Sequence, residues 1–137
     1  VRSERGDAVT ADWRAELLDH AERIEVPAAR RDPGRWPGYA PRTAVTVWRL
    51  PTGPVCAAWD FTVFGGSFGE DDATALAAAA RMAVAERRPL LTLVRSGGTR
   101  LQEGLAALVG IPRARMALLA LSAAGLPHLS VADADSA

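Results

Sequence analysis

A chain of 137 residues, 49% of them apolar, has the length of one ordinary domain and can bury a core without a metal or a disulfide. Sixteen basic residues against sixteen acidic ones leave no net charge, which argues against wrapping nucleic acid or lying on an anionic membrane. Every basic residue is Arg, so Walker-type phosphate loops and Schiff-base lysines are excluded.

The Ala-rich, Lys-free composition is that of a GC-rich bacterial genome. The charged start (Arg2, Glu4, Arg5, Asp7) holds no apolar secretion segment, and the later apolar runs look too short to span a bilayer, so a cytoplasmic protein is expected. Thr10 to Ile24 places Trp13, Leu17, His20 and Ile24 at helical spacing, with Thr10 and Asp12 as caps. Val26 to Pro41 carries four prolines and two glycines and reads as an irregular connector, pinned by Trp36 and Tyr39. Thr43–Leu50 and Val55–Phe61, joined by Pro51-Thr52-Gly53-Pro54, predict an antiparallel hairpin. Cys56 lies inside it as a buried thiol, and a lone cysteine supports neither a disulfide nor a four-ligand zinc site, so no metal is expected.

Beyond the hairpin, Phe64 to Gly69 is a glycine loop, Glu70-Asp71-Asp72 places acid before a helix N-terminus, and Ala73 to Arg87 is an alanine-rich helix. Leu90 to Val94 predicts a strand covered on both faces, as in a parallel sheet. Arg95 to Arg100 leads into a helix with Leu101, Leu105 and Leu108 in register. Pro112, Arg113 and Arg115 then open another helix to Ala124, closed by Gly125, and Leu129–Val131 is the next buried strand. This order predicts an α/β fold with right-handed βαβ crossovers.

Two stretches carry a resemblance. Asp60-Phe61-Thr62-Val63-Phe64-Gly65-Gly66-Ser67-Phe68-Gly69-Glu70 resembles the DFTVFGGS loop of the carboxyltransferase family, the β-type subunits of acyl-CoA carboxylases. Ser96-Gly97-Gly98-Thr99-Arg100-Leu101-Gln102-Glu103-Gly104 is similar to its SGGxRxQEG motif, and Ala124 to Val131 is similar to its AGLPxxSV strand entry. The resemblance implies a crotonase/ClpP-like ββα repeat fold, here its N-terminal half over 43–137 behind a helix and connector over 1–42. It also implies incompleteness without a partner chain. The implied activity moves a carboxyl group between carboxybiotin, brought by a partner and serving as base through its ureido group, and the α-carbon of an acyl-CoA or acyl-carrier-protein thioester. No cofactor is expected to be bound directly.

Such chemistry must stabilise a thioester enolate, for which backbone N–H groups suffice. Gly97 and Gly98, between a strand and a helix, are the candidate oxyanion hole, aimed together at one oxygen with the helix dipole behind them. Phe64, Gly65, Gly66, Ser67, Ser96, Thr99 and Arg100 are the candidate substrate contacts. Gly65 and Gly66 suit either a pantetheine arm or adenine passing close to the backbone, or a turn needing positive φ. Arg100 suits either a CoA phosphate or a loop-fixing carboxylate such as Glu103. His20 and His128 read as structural, Glu103 receives no acid or base role, and Ser96 has no partner base in sequence.

The chain departs from the family in lacking a four-cysteine zinc ribbon, in carrying Ala75 where a lysine is common, and in the turn beyond Val131. The expected partner is a second carboxyltransferase half or an α-type subunit, in a hetero-oligomer. Competing functions are a biotin-independent decarboxylase or carbon–carbon bond-forming cyclase using the same enolate site, and a non-catalytic scaffold of a carboxyltransferase complex.

Overall fold

The computed structural model describes residues 13–133. Its strands form one mixed sheet in chain order: β1 (Glu22–Ile24), β2 (Val45–Arg49), β3 (Val55–Trp59), β4 (Leu90–Val94) and β5 (His128–Ala132). β1, β2 and β3 pair antiparallel, while β3, β4 and β5 run parallel. The parallel pairs need crossovers, supplied by α2 (Glu70–Glu86) and α3 (Leu105–Ala123); a short α1 (Trp13–Leu18) precedes the sheet.

β3 is buried at every position, and its alternation divides the core. Val55, Ala57 and Trp59 face the α2 side, whereas Cys56 and Ala58 join Leu50 and Leu93 on the other. Burial pushes the Cys56 thiol up to about 11, so it remains a protonated core group. The two long helices approach closely because their contact is built from small residues: a Cβ on Gly110 would lie 2.6 Å from that of Ala73.

Several expectations are corrected. The helix expected to reach Ile24 stops at Leu18 among the described residues, and Ile24 lies in β1 opposite Val47, where an edge strand satisfies its backbone. Thr10 and Asp12 lie outside the described residues. Trp13 and Leu17 are exposed and Arg14 is buried, because its guanidinium reaches Asp133 and the Trp59 carbonyl. Of the two pinning aromatics, Tyr39 is buried against Phe64 and Trp36 is exposed.

The two helices expected on either side of Pro112 are one, preceded by a 3-10 turn at Leu101–Glu103. Leu108 and Pro112 both lie on the exposed side of α3, so the carbonyl that loses its donor to proline faces water. α3 is also long and apolar enough to cross a membrane, which the sequence reading denied; its inner face, including Ala107, Gly110, Ala114 and Leu121, is buried in the fold and its outer face is exposed. β5, expected to be buried, is mostly exposed, since no described element covers it. The segment before residue 43 is tied into the sheet through β1.

Gly110→Ala tests the helix contact. In an exposed helix the change stabilises by up to about 1 kcal/mol; here we expect urea unfolding to show a loss of about 1–3 kcal/mol from overpacking. A gain would mean that the helices are not in tight contact at Gly110.

Candidate functional site

The two glycine loops leave the C-terminal ends of β3 and β4 and are joined by backbone hydrogen bonds. Phe68 N–H donates to the Gly98 carbonyl at 2.7 Å, Arg100 N–H to the Phe68 carbonyl at 2.9 Å, and Gly97 N–H to the Gly65 carbonyl at 2.9 Å. Phe68 and Thr99 thereby form a parallel bridge. Contact is close enough to require glycine: a Cβ on Gly66 would stand 1.8 Å from the Arg95 carbonyl oxygen. Phe64, at φ 49° in the left-handed region, is held by Tyr39 at 5.4 Å and by the Arg100 guanidinium 5.0 Å from its ring centroid.

Arg100 is 1% exposed and pairs with Asp72 at 2.9 Å, with Glu103 at 3.8 Å, and with the carbonyls of Arg42 and Ser67. Of its two readings, loop fixing is the one observed, and its guanidinium is not available to a phosphate. Ser67 is used in the same way, through its carbonyl and its hydroxyl. Asp72 accepts from the amides of Ala44, Val45 and Gly69, the last closing a capping box on α2. Burial pushes the Asp72 and Glu103 carboxyls above their ordinary range, while Arg100 and these amides pull the other way.

The acidic triplet therefore does more than complement a dipole. Asp71 accepts from the amides of Ala29 and Arg30, and Glu70 pairs with Arg31, so the first turn of α2 gathers the connector and both loops.

The proposed pair of converging amides is also corrected. Gly97 N–H is engaged by Gly65, and these glycines do not open the helix, which starts at Leu105. Gly98 N–H makes only a long contact, 3.2 Å, to Ser96 Oγ. Gly98, Ser96 and Thr99 line an apolar pocket of about 380 Å³ together with Trp59, Phe68 and residues of α3. Phe64, Gly65, Gly66, Ser67, Gly97 and Arg100 do not line it.

Behind the second loop, Asp133 is held by two forks: Arg14 at 2.8 and 2.9 Å and Arg95 at 2.8 Å to each oxygen. The hydrogen bonds from Arg95 and then Arg14 hold its carboxyl well below the usual carboxylate range. His128 stands apart, Nε2 3.0 Å from Thr92 Oγ1, with its pKa lowered by burial. Sequence reasoning missed Trp59, Asp72 and Asp133; only Asp72 had a local signal, the capping-box spacing from Gly69.

Comparison with known proteins adds four findings. The carboxyl transferase domain model matches residues 54–136. The acetyl-coenzyme A carboxylase carboxyl transferase subunit beta of Dinoroseobacter shibae is 46% identical over 77 residues, 56% of this chain and 24% of that protein. The transcarboxylase 12S structure with methylmalonyl-coenzyme A bound superposes at a TM-score of 0.68 with 30% identity, covering 87% of this chain and 25% of that one. A Pseudomonas malonate decarboxylase hetero-tetramer in complex with malonate gives a TM-score of 0.66 with 25% identity, covering 88% and 49%. The chain spans about a quarter of the length of the curated relatives it matches.

Arg100→Met should lower stability by about 3–5 kcal/mol in urea unfolding, because Asp72 and Glu103 keep buried charge without their cation. Arg100→Met with Asp72→Asn should lose less than the sum of the single changes; a single-variant loss under 1 kcal/mol would reduce the pair to a surface contact. Asp133 gives a pH signature. Its folded pKa lies below the unfolded value of about 3.9, so its contribution is complete above about pH 5 and fades as pH falls through 3.9 and below. Asp133→Asn should flatten that acid limb of the stability curve, and an unchanged slope would remove the two-fork assignment.

Proposed function

The chain belongs to the carboxyl transferase domain family, with its crotonase-like fold, and from that premise we propose that it supplies the acyl-thioester side of a carboxyltransferase of the acyl-CoA carboxylase type. The observation that carries the reading is the placement of Gly98 on an apolar pocket at the C-terminal ends of two parallel strands. Open α/β sheets bind their ligands at that end.

The substrate is an acyl-CoA or acyl-carrier-protein thioester. Loss of a proton from its α-carbon drives an electron pair into the carbonyl, and the charge gathers on oxygen. Gly98 N–H meets that oxygen in place of its long contact to Ser96 Oγ, in an apolar setting where one donor counts for more than in water. The electron pair then forms the bond from the α-carbon to the incoming carboxyl carbon. Carboxybiotin, brought by a partner, would supply that carboxyl carbon as its N–carboxyl bond breaks, and the ureido group left with the freed electron pair would take the α-proton. Gly97 holds the loop rather than the oxyanion, and Thr99 and Ser96 shape the mouth of the pocket.

A second half or an α-type subunit fits the outer side of α3, where Leu105, Leu108, Val109, Met116 and Leu119 are exposed. We assign the resulting hetero-oligomer to the cytoplasm. The malonate decarboxylase likeness supports a second reading, because decarboxylation of a malonyl group passes through the same enolate.

The test uses the full-length protein with its co-purifying partner. Biotin-dependent exchange of label between malonyl-CoA and acetyl-CoA is expected, whereas carbon dioxide release without biotin would favour the decarboxylase. Gly98→Ala keeps the backbone N–H but strains a chain that sits at φ 101°, so exchange should fall by about tenfold or more as the amide turns away from the oxygen. Because Gly98 sits at φ 101°, the unfolding midpoint is measured alongside. Unchanged activity of the complex with a folded Gly98→Val variant would favour the scaffold reading.

A further inference from the structure

One cation borders the pocket beside Gly98. Ile111, Ala114, Arg115 and Leu118 line it from α3, and their spacing of three and four sets them on one face of that helix. Arg115 thus belongs to the pocket by its place in the helix. Arg113, two positions earlier, leaves α3 in another direction: it reaches the Glu70 carbonyl and Thr74 Oγ1 of α2 and does not line the pocket. Arg115 is exposed, and among the described residues its guanidinium meets no carboxylate, hydrogen-bond acceptor or aromatic ring. The other residues of the lining carry no charge, and the charged residues nearest the glycine loops, Arg100, Asp72 and Glu103, are paired with one another.

A single cation in an otherwise uncharged, mostly apolar lining favours an anionic ligand. Carboxyl transfer makes one, because the carboxyl group added to the α-carbon of the thioester is ionised at neutral pH. Resting on the thioester reading above, we infer that Arg115 recognises the carboxylate of the carboxylated thioester, a malonyl-type group, in the pocket that Gly98 borders. The planar guanidinium can meet both carboxylate oxygens, which a hydrated surface charge of another shape does less well. The unsubstituted thioester offers Arg115 nothing. Arg115 therefore binds the carboxylated form in preference and draws the bound equilibrium toward carboxylation.

The test measures affinity of the full-length protein, with its co-purifying partner, for acetyl-CoA, malonyl-CoA and acetoacetyl-CoA by calorimetry. Acetoacetyl-CoA has nearly the shape of malonyl-CoA and the same CoA phosphates, with a methyl group in place of the charged oxygen, so the difference between the two reads the carboxylate alone. Malonyl-CoA should bind about tenfold or more tightly than acetoacetyl-CoA. Arg115→Gln, a change at an exposed position, should erase that difference, and Arg115→Lys should restore part of it. In label exchange, Arg115→Gln should raise the KM for malonyl-CoA by a similar factor and that for acetyl-CoA by much less. Equal binding of malonyl- and acetoacetyl-CoA, or a malonyl preference that survives Arg115→Gln, would overturn the inference while leaving the thioester site in place. An equal loss of all three thioesters in Arg115→Gln would overturn it too, by moving the contact to CoA itself. Failure of all three to bind the unaltered protein would remove the thioester reading and this inference with it.

Discussion

The site depends on one buried cation. Arg100 reaches the strand end at Arg42, the first loop at Ser67, the α2 cap at Asp72 and the 3-10 turn at Glu103. Burying these charges costs several kcal/mol each in desolvation, so the cluster persists only because nearly every lone pair and donor is met. Asp72 accepts three amides in addition to the guanidinium, which makes it as important to the loop junction as Arg100 itself. Removing either partner leaves a buried charge alone; removing both leaves a smaller deficit. That asymmetry marks a junction whose members act as a unit.

The same junction explains why the glycines behave as they do. With Arg100 fixed, Phe68 and Thr99 pair as strands, and the second loop has no freedom to present two adjacent amides to one point. Gly97 N–H is drawn to the first loop, where it meets the Gly65 carbonyl, and Gly98, at φ 101°, bends the chain so that its own N–H lies beside Ser96 Oγ. The close approach of Gly66 to the Arg95 carbonyl has the same origin, and Asp133 anchors the outer side of Arg95 through both of its oxygens.

Much of the fold was legible because local patterns and tertiary needs agreed. Pro51 to Pro54 turns the hairpin, Leu90 to Val94 is a strand covered on two faces, and Gly125 ends α3 with φ 70°. Errors arose where long-range partners overruled local spacing. Arg14 is drawn inward by Asp133 across 119 positions, which no helical periodicity encodes, and Ile24 prefers a strand partner to a final helical turn. Pro112 was read as a boundary because sequence cannot show that the orphaned carbonyl would face water. Within the site, the glycine loops were visible as motifs. The use of each amide was not, because a hydrogen bond between Gly97 and Gly65 is a fact of packing between segments.

The division of polar groups has a chemical consequence. Asp72, Glu103, Arg100, Asp71 and Asp133 are all engaged in holding segments together, so the residues richest in charge are those least able to touch a substrate. What lines the pocket is mostly apolar, with the Gly98 backbone, the hydroxyl residues Ser96 and Thr99, and one charged residue, Arg115. A site of that composition is poorly suited to moving protons by its own side chains. It suits holding an acyl chain still, in a medium of low dielectric, while charge develops on one oxygen. Rigidity is then the property the surrounding ion pairs supply, since an amide that drifts by an ångström loses most of its hold on that oxygen. The buried salt bridges thus contribute less to how stable the domain is than to how firmly the two glycine loops are held.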